Sequence, residues 1–224
     1  MDKKELNALV DASLQAEQDA RKDRERSGKF NPSSFGKCFR AQCWNRLDEP
    51  QTNPPDIKGL RRMKQGTYTH KLNQAHLPKD QVEVKVETDD VLGFADFVSP
   101  QGVLDYKCSD GWNIKKYSSI PTPAYIEDNP DKFLQVAWYA LELKKEDITI
   151  APTPFGEFNN LLHTDKTANW KDKVDAEITT LMGYWGKGEL PPAKPRCYGG
   201  KECNYCSWKD KCKEETDGYK RDTK

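Results

Sequence analysis

The sequence predicts an α/β domain in which helices pack against a small β-sheet. Three observations favour this class. Apolar residues recur at helical spacing in several segments. Between residues 82 and 109 the pattern changes to alternation and short apolar runs, which are typical of strands. A length of 224 residues suits one ordinary domain or two very small ones, and it excludes a tandem multidomain protein.

Composition and charge restrict the possible partners. The 36 Lys and Arg balance the 36 Asp and Glu, which argues against a protein that binds nucleic acid through its bulk charge. The distribution is uneven, because residues 26–47 contain five basic residues and no acid, and residues 57–79 contain six and no acid. A neutral chain of this kind can still present a basic strip to DNA.

Neither a membrane span nor an export signal is predicted. No stretch approaches the roughly 18 to 20 apolar residues of a spanning helix, and the N-terminus lacks an apolar signal core. We therefore expect a cytoplasmic protein with no membrane partner. Seven cysteines in such a chain are poorly explained by disulfides, which leaves metal ligation or free thiols.

The first predicted element is a short amphipathic helix. Leu6, Leu9, Val10 and Leu14 are spaced as on one helix face. A charged run, RKDRERSGK, follows and predicts a hinge. Residues 1–30 are accordingly assigned to an N-terminal charged extension.

Two further helices are predicted before the sheet. Asn31 and Pro32, followed by two serines, favour a helix start, and residues 35–47 have spacings that a helix could partly bury. Residues 60–77 predict a second helix of unusually basic character, which Pro78 ends.

The remaining elements complete the sheet and cover it. Residues 82–109 predict an antiparallel meander of three strands with a turn at SPQG. A loop is expected around Pro121 and Pro123. A helix, a strand and a helix are then predicted at residues 129–145, 146–155 and 169–188. We assign residues 31–212 to one domain and expect residues 213–224 to be disordered.

The meander carries a candidate catalytic pair. Asp105 and Lys107 lie two residues apart on one strand, so their side chains project to the same face. If the turn at 99–102 has a two-residue loop, Asp96 lies opposite Asp105 with Cβ atoms about 5 Å apart. Two carboxylates so close repel, and a divalent cation between them is the simplest compensation. A three-residue loop with a bulge would shift the pairing by one.

This arrangement suits metal-assisted phosphodiester hydrolysis, in which the metal activates water and the lysine stabilises developing charge. An Asp-x-Lys triplet alone is a weak signal, since exposed Asp and Lys are common. Two features strengthen it. His70 on the basic helix could supply an imidazole ligand that favours Mn²⁺ over Mg²⁺. Gln135 and Tyr139, four apart on a helix, could contact a base or phosphate.

The C-terminal cysteines predict a metal centre. Residues 203–212 form a C-x₂-C-x₅-C motif, and two cysteines separated by two residues can grip one metal. Two centres remain open. Four local thiolates, those of Cys197, Cys203, Cys206 and Cys212, would make a zinc knuckle. The last three with a remote cysteine, preferably Cys38 and otherwise Cys43, would suit a [4Fe–4S] cluster.

Taken in order, these motifs resemble the RecB-like branch of the PD-(D/E)XK nucleases. The resemblance is to the small iron–sulfur exonucleases associated with CRISPR adaptation and also found in phages and archaeal viruses. It covers the chain from about Ser33 to Cys212. The motifs that carry it are Cys38-Phe39-Arg40, Gly66 with His70, Gly93-Phe94-Ala95-Asp96, Asp105-Tyr106-Lys107, Gln135 with Tyr139, and the closing C-x₂-C-x₅-C.

The resemblance implies a restriction-endonuclease-like core, a small mixed sheet flanked by helices, with a Cys-ligated iron–sulfur clasp that joins the chain ends. It implies Mn²⁺ or Mg²⁺ bound by His70, Asp96, Asp105 and the main-chain carbonyl of Tyr106. It further implies that Lys107 is the catalytic lysine, acting with Asp96 and Asp105. The remaining implied roles are DNA binding by Gln135 and Tyr139, and cluster ligation by Cys38, Cys203, Cys206 and Cys212.

The expected function is a metal-dependent DNA exonuclease that acts on single strands or free ends. Basic residues of the second helix offer a path for the strand, since phosphate contacts supply most sequence-independent affinity: Arg61, Arg62 and Lys64. CRISPR integration or recombination proteins are possible partners by the same resemblance. The alternatives are a structure-selective endonuclease on the same core, and a non-catalytic, zinc-stabilised protein that binds nucleic acid or assists assembly.

Overall fold

The computed structural model describes residues 2–22, 27–157 and 161–215, which form a mixed α/β fold. Its strands are β1 (Val82–Glu87), β2 (Leu92–Val98), β3 (Gly102–Ser109), β4 (Asp147–Pro154) and β5 (His163–Lys166). They lie in the order β1-β2-β3-β4-β5. The β3–β4 pair is parallel and the other three pairs are antiparallel, so the small mixed sheet expected from the sequence is confirmed.

Helices flank this sheet. They are α1 (Lys3–Lys22), α2 (Phe39–Arg46), α3 (Ile57–Gln74), α4 (Gly111–Ser118), α5 (Thr122–Asp128), α6 (Pro130–Glu142), α7 (Lys171–Lys187) and α8 (Lys209–Glu215). Because β3 and β4 are parallel, the chain must cross over between them, and α4, α5 and α6 make that crossover.

The core lies between the sheet and α6. Phe133, Val136 and Trp138 of α6 are completely buried, as are Ile148 and Ile150 of β4. The helix packs against both β3 and β4. Side chains on the sheet-facing side of α6 are therefore held in fixed positions beside β3.

The hairpin between β2 and β3 has the register that the two-residue loop predicts. Phe97 pairs with Leu104 and Val98 with Val103, and the Ser99 amide donates to the Gly102 carbonyl at 2.8 Å. The shifted register that a three-residue loop would produce is therefore excluded.

The structure differs from the sequence prediction in four short segments. The loop expected around Pro121 and Pro123 is wrong, since α5 begins there. Proline fits at the N-cap and the second position of a helix because the amides of the first turn need no intrahelical partner. Neither α4 nor β5 was predicted. Of the tail expected to be disordered, residues 213–215 end α8, and residues 216–224 lie outside the described residues.

In the ranges given above, no helix is both long and apolar enough to cross a membrane.

Candidate active site

Polar side chains gather where β2 and β3 separate. Beyond the pair Phe97–Leu104, the next hydrogen-bonded pair of an antiparallel ladder would join Ala95 to Tyr106. The Tyr106 amide donates instead to the Asp96 carboxylate, with 2.8 Å between N and Oδ2. Asp96 thus replaces a main-chain acceptor of the sheet, and this bond fixes its carboxylate at the point where the strands part.

The second acid forms a closed group with a lysine and an amide. Asp105 is 3% exposed, and its Oδ2 lies 2.6 Å from Lys107 Nζ. From α6, Gln135 donates through Nε2 to Asp105 Oδ1 and accepts at Oε1 from Lys107 Nζ, both at 2.9 Å. Contact with one amide places the Asp105 and Lys107 side chains on the same side of β3, as their spacing predicts.

The charges of this group are strongly perturbed. Burial raises the pKa of Asp105 to about 6; the charge of Lys107 opposes this rise, and that of Asp96 adds to it. Burial alone would lower the pKa of Lys107, but the attraction of Asp105 outweighs it and raises the pKa. Lys107 therefore remains a cation at neutral pH. Perturbed acids and bases of this kind are concentrated at functional sites.

His70 reaches the same acids from α3. Its Nδ1 lies 3.4 Å from Asp96 Oδ2, and its ring stands 5.9 Å from that of Tyr106. Burial alone would lower the pKa of His70, but hydrogen bonds with Asp96 and Cys108 raise it to about 10. Cys108 of β3 therefore lies beside the candidate ligand His70.

Tyr139 lies behind Gln135 rather than at the surface. The residue is 2% exposed, and its hydroxyl forms hydrogen bonds with the Gln135 side chain and the Phe94 backbone. Burial raises its pKa well above the usual range. Its contacts suit a residue that holds Gln135 in place, while a direct contact of Tyr139 with DNA stays a prediction.

The acids offer suitable chemistry for a divalent cation. Two carboxylates, an imidazole and a main-chain carbonyl are ligands that Mg²⁺ and Mn²⁺ accept. Asp105 Oδ2 is deeply buried and lies against the Lys107 ammonium, with 2.6 Å between Oδ2 and Nζ. As the side chains stand, however, no group of three or more His, Cys, Asp or Glu residues in the described ranges is arranged to hold a metal ion. Metal binding would require these side chains to converge further.

Two lysines that the sequence analysis did not single out lie within electrostatic reach of Lys107. Burial lowers the pKa of Lys132 on α6 to about 8; the charge of Asp131 opposes the shift, and that of Lys107 adds to it. Burial also lowers the pKa of Lys37, which precedes α2; the charge of Asp131 opposes this shift, and that of Lys107 adds to it. No sequence signal marks these two residues, because lysine is common throughout this chain.

Helix α1 packs against the basic strip predicted on α3. Arg61 donates to Asp11, with 2.6 Å between Nη2 and Oδ1, and Lys64 Nζ lies 2.6 Å from Glu17 Oε1. Arg62 between them is exposed. Two of the three basic residues expected to contact DNA are therefore paired with acids of the N-terminal helix.

Four of the seven cysteines lie near one another. Cys38 directly precedes α2, Cys203 and Cys206 lie in and after a 3₁₀ turn, and Cys212 is in α8. Burial raises the pKa of the Cys206 thiol to about 11, and the other three thiols add to the rise. None of the seven cysteines, all of which lie in the described ranges, forms a disulfide.

The two competing cysteines have different surroundings. Burial raises the pKa of Cys197 to about 12, with Glu202 and Asp131 adding to the rise and no other thiol among the main causes. Cys43 is buried near Arg46. The structure thus gathers the predicted cluster ligands, and Cys197 adjoins Cys38 through Glu202, whose carboxylate accepts from the amides of both residues. The arrangement required of a metal site, three or more ligating side chains together, is absent here too among the described residues.

Comparisons with known proteins give a fold and no family. No family model matches the chain, and neither does any curated protein. The crystal structure of SSO0001 superimposes with a TM-score of 0.54 and 12% identity, covering 88% of this chain and 92% of that one. For the alkaline exonuclease LHK-Exo from Laribacter hongkongensis the TM-score is 0.49, with 11% identity and 73% and 90% coverage. LHK-Exo in complex with dAMP gives 0.37, with 12% identity and 71% and 94% coverage. The similarity to SSO0001 shows a shared fold.

Proposed function

We propose that this protein is a divalent-metal-dependent deoxyribonuclease, an exonuclease that hydrolyses single-stranded DNA or DNA ends. One observation carries the proposal: two buried carboxylates, Asp96 and Asp105, face a cationic Lys107 at the point where two strands part. Burial of an acid pair beside a lysine has a desolvation cost that their attraction repays only partly, so stability alone does not explain it. Metal-assisted phosphodiester hydrolysis uses each of these groups.

The ligands that we propose for Mn²⁺ or Mg²⁺ are His70, Asp96, Asp105 and the Tyr106 main-chain carbonyl. When bound, the ion would activate water and neutralise charge on the phosphate. Lys107 would donate to the phosphate oxygen that gains negative charge, because its ammonium is held at the acids. Gln135 forms hydrogen bonds with both that ammonium and the Asp105 carboxylate, which fixes their relative positions.

We also propose a [4Fe–4S] cluster held by Cys38, Cys203, Cys206 and Cys212, with zinc as the alternative. The mutual influence of these thiols, and the different surroundings of Cys197, support this set over the four C-terminal cysteines. Bound there, the centre would join the segment before α2 to the C-terminal region.

Colour distinguishes the two metals. An iron–sulfur protein purified without oxygen is brown and absorbs at roughly 400 nm, whereas a zinc protein is colourless. We expect Cys206→Ser to lose the bound metal and Cys197→Ser to keep it, measured by metal content per chain. Equal loss in both variants would instead favour the four C-terminal cysteines.

DNA is the proposed partner, with a cytoplasmic location and CRISPR integration or recombination proteins as proposed protein partners. The proposed contacts to the phosphate backbone are Arg61, Arg62 and Lys64, since such contacts do not depend on the base sequence of the DNA. For Arg61 and Lys64 this requires exchange of their α1 partners for phosphates.

The decisive experiment is digestion of end-labelled linear and closed circular single-stranded DNA with Mn²⁺ or Mg²⁺. The native protein is compared with Lys107→Ala and with Lys71→Ala, an exposed lysine of α3 that serves as the control. We expect degradation of the linear substrate that requires metal, is lost in Lys107→Ala and is unchanged in Lys71→Ala.

The other outcomes separate the alternatives. Cleavage of the circle as well as the linear strand would show an endonuclease. DNA binding without cleavage under either metal would contradict a nuclease and favour the non-catalytic binding protein.

A further inference from the structure

A cavity of about 320 Å³ adjoins the candidate active site. Its walls are the segment 27–33, the start of β2, Asn45 of α2, and Gln135 with Tyr139 of α6. Its volume lies at the lower end of the range of about 300 to 1,000 Å³ that small-ligand sites occupy. Gln135 lines this cavity and also contacts Asp105 and Lys107, so the cavity and the acids share a wall.

We propose that this cavity binds the unpaired nucleobase of the nucleotide at the cleaved bond. The inference rests on the proposed function, and it adds how the enzyme recognises its substrate. A base enters such a cavity only if it is not paired with another strand, which would give the enzyme a preference for single strands and frayed ends.

The charge of the lining favours a base over a phosphate. Among the described residues that line the cavity, Lys29 alone is charged. Its Nζ lies 2.9 Å from Glu87 Oε1 and donates to the Thr88 carbonyl at 2.7 Å. With that charge already compensated, the cavity is close to neutral, as a neutral heterocycle requires.

An exposed aromatic ring supplies a stacking surface. Phe94 lines the cavity and is 50% exposed, although it lies in β2 next to buried residues. A phenyl ring that is half exposed beside a cavity can stack on the face of any base, whatever its identity. Its neighbour Gly93 keeps the opposite wall close, because a Cβ there would stand 2.5 Å from the Tyr139 hydroxyl.

Polar groups suited to the edge of a base face the same space. Asn31 uses its side-chain oxygen to accept from the Ser33 amide at 3.0 Å, which leaves its NH₂ group as a donor. Ser33, which has a hydroxyl group, and Asn45, which has a side-chain amide, also line the cavity. Together these groups offer hydrogen-bond donors and acceptors, so the edge of a base of any type can form hydrogen bonds there.

The wall that carries these groups is already in place. Phe30 forms a parallel bridge with Val91; its amide donates to the Asp90 carbonyl at 2.8 Å, and its carbonyl accepts from the Leu92 amide at 3.0 Å. A site that is fixed before the ligand arrives loses less conformational entropy on binding.

The test measures binding without cleavage, in a Lys107→Ala background. The probes are short fluorescent single-stranded oligonucleotides in which one abasic residue is moved through the positions near either end. We expect one position at which loss of the base weakens binding about tenfold. Phe94→Ala is expected to weaken binding of the intact strand by about the same factor and to abolish the abasic effect, while Phe94→Tyr retains both.

Trp112→Ala is the matched control, since Trp112 is 75% exposed and lies outside the cavity. It should leave the abasic effect unchanged. An abasic effect that survives undiminished in Phe94→Ala, or the lack of any such effect, overturns the base-binding cavity. Failure of the native protein to cleave DNA overturns the proposed function, and the affinities still decide the cavity because they are read without cleavage.

Discussion

Among single residues, the Asp105–Lys107 pair is where the proposed function would oppose stability. Burying two charges is repaid only partly by their attraction, whereas removal of one partner leaves the other charge buried alone. We expect Lys107→Met to lower the free energy of unfolding by about 2 kcal/mol, less than for a fully enclosed pair because the lysine is partly exposed. Adding Asp105→Asn should restore native stability or exceed it, although the double variant should not cleave DNA.

Urea unfolding of the native protein, both single variants and the double variant measures this coupling. A double variant less stable than either single one would show that the pair stabilises the fold. It would contradict the inference that the pair lowers stability and is kept for the proposed function.

The spacing of residues predicts this pair, but not its surroundings. Period-two alternation places Asp105 and Lys107 together, and a two-residue loop places Asp96 opposite them. The bond from the Tyr106 amide to Asp96 and the position of Cys108 beside His70 depend on how β3 meets β2 and α3. Such contacts arise only when elements pack, and no local pattern encodes them.

Among the helices and strands, the relation of α1 to α3 has the clearest consequence for the proposed DNA binding. Glu17 of α1 pairs with Lys64, so it competes with any phosphate for that lysine. We expect Glu17→Gln to raise the affinity for single-stranded DNA by about two- to fivefold at low salt, the equivalent of one exposed ion pair. Asp19→Asn removes the same charge from α1 at a residue that accepts from Gln15 of the same helix, and is the control.

Fluorescence anisotropy at two salt concentrations tests this competition. Because exposed charges are screened by salt, the difference between Glu17→Gln and Asp19→Asn should shrink as salt rises. Equal affinities of the two variants at low salt would exclude Lys64 as a DNA contact that α1 masks.

Length decides which elements the sequence predicts. The long helices α3, α6 and α7 and the meander β1–β3 carry enough periodic residues to show their type. By contrast, β5 has only four residues, HTDK, and forms because it pairs with β4. The seven residues of α5 follow a proline and contain another, which locally favours a loop.

For the whole molecule, the Glu177 carboxylate makes one of the described connections between the two ends of the chain. Glu177 of α7 is 2% exposed and accepts from the Gly36 amide at 3.0 Å and from Gln42 Nε2 at 2.9 Å. Arg196 donates to its other oxygen at 2.7 Å. These partners are too far apart in the sequence for any motif to reveal them, whereas the cysteine motif suggested a clasp at the same place.

The last prediction concerns this carboxylate. Glu177→Ala leaves a guanidinium and two buried donors without their acceptor, so we expect a loss of about 3 kcal/mol in the free energy of unfolding. Glu189→Ala, at an exposed acid just after α7, should change it by less than about 0.5 kcal/mol. Urea unfolding of metal-free protein isolates the carboxylate from any cluster. A Glu177→Ala variant as stable as Glu189→Ala would mean that this carboxylate does not hold the two ends of the chain together.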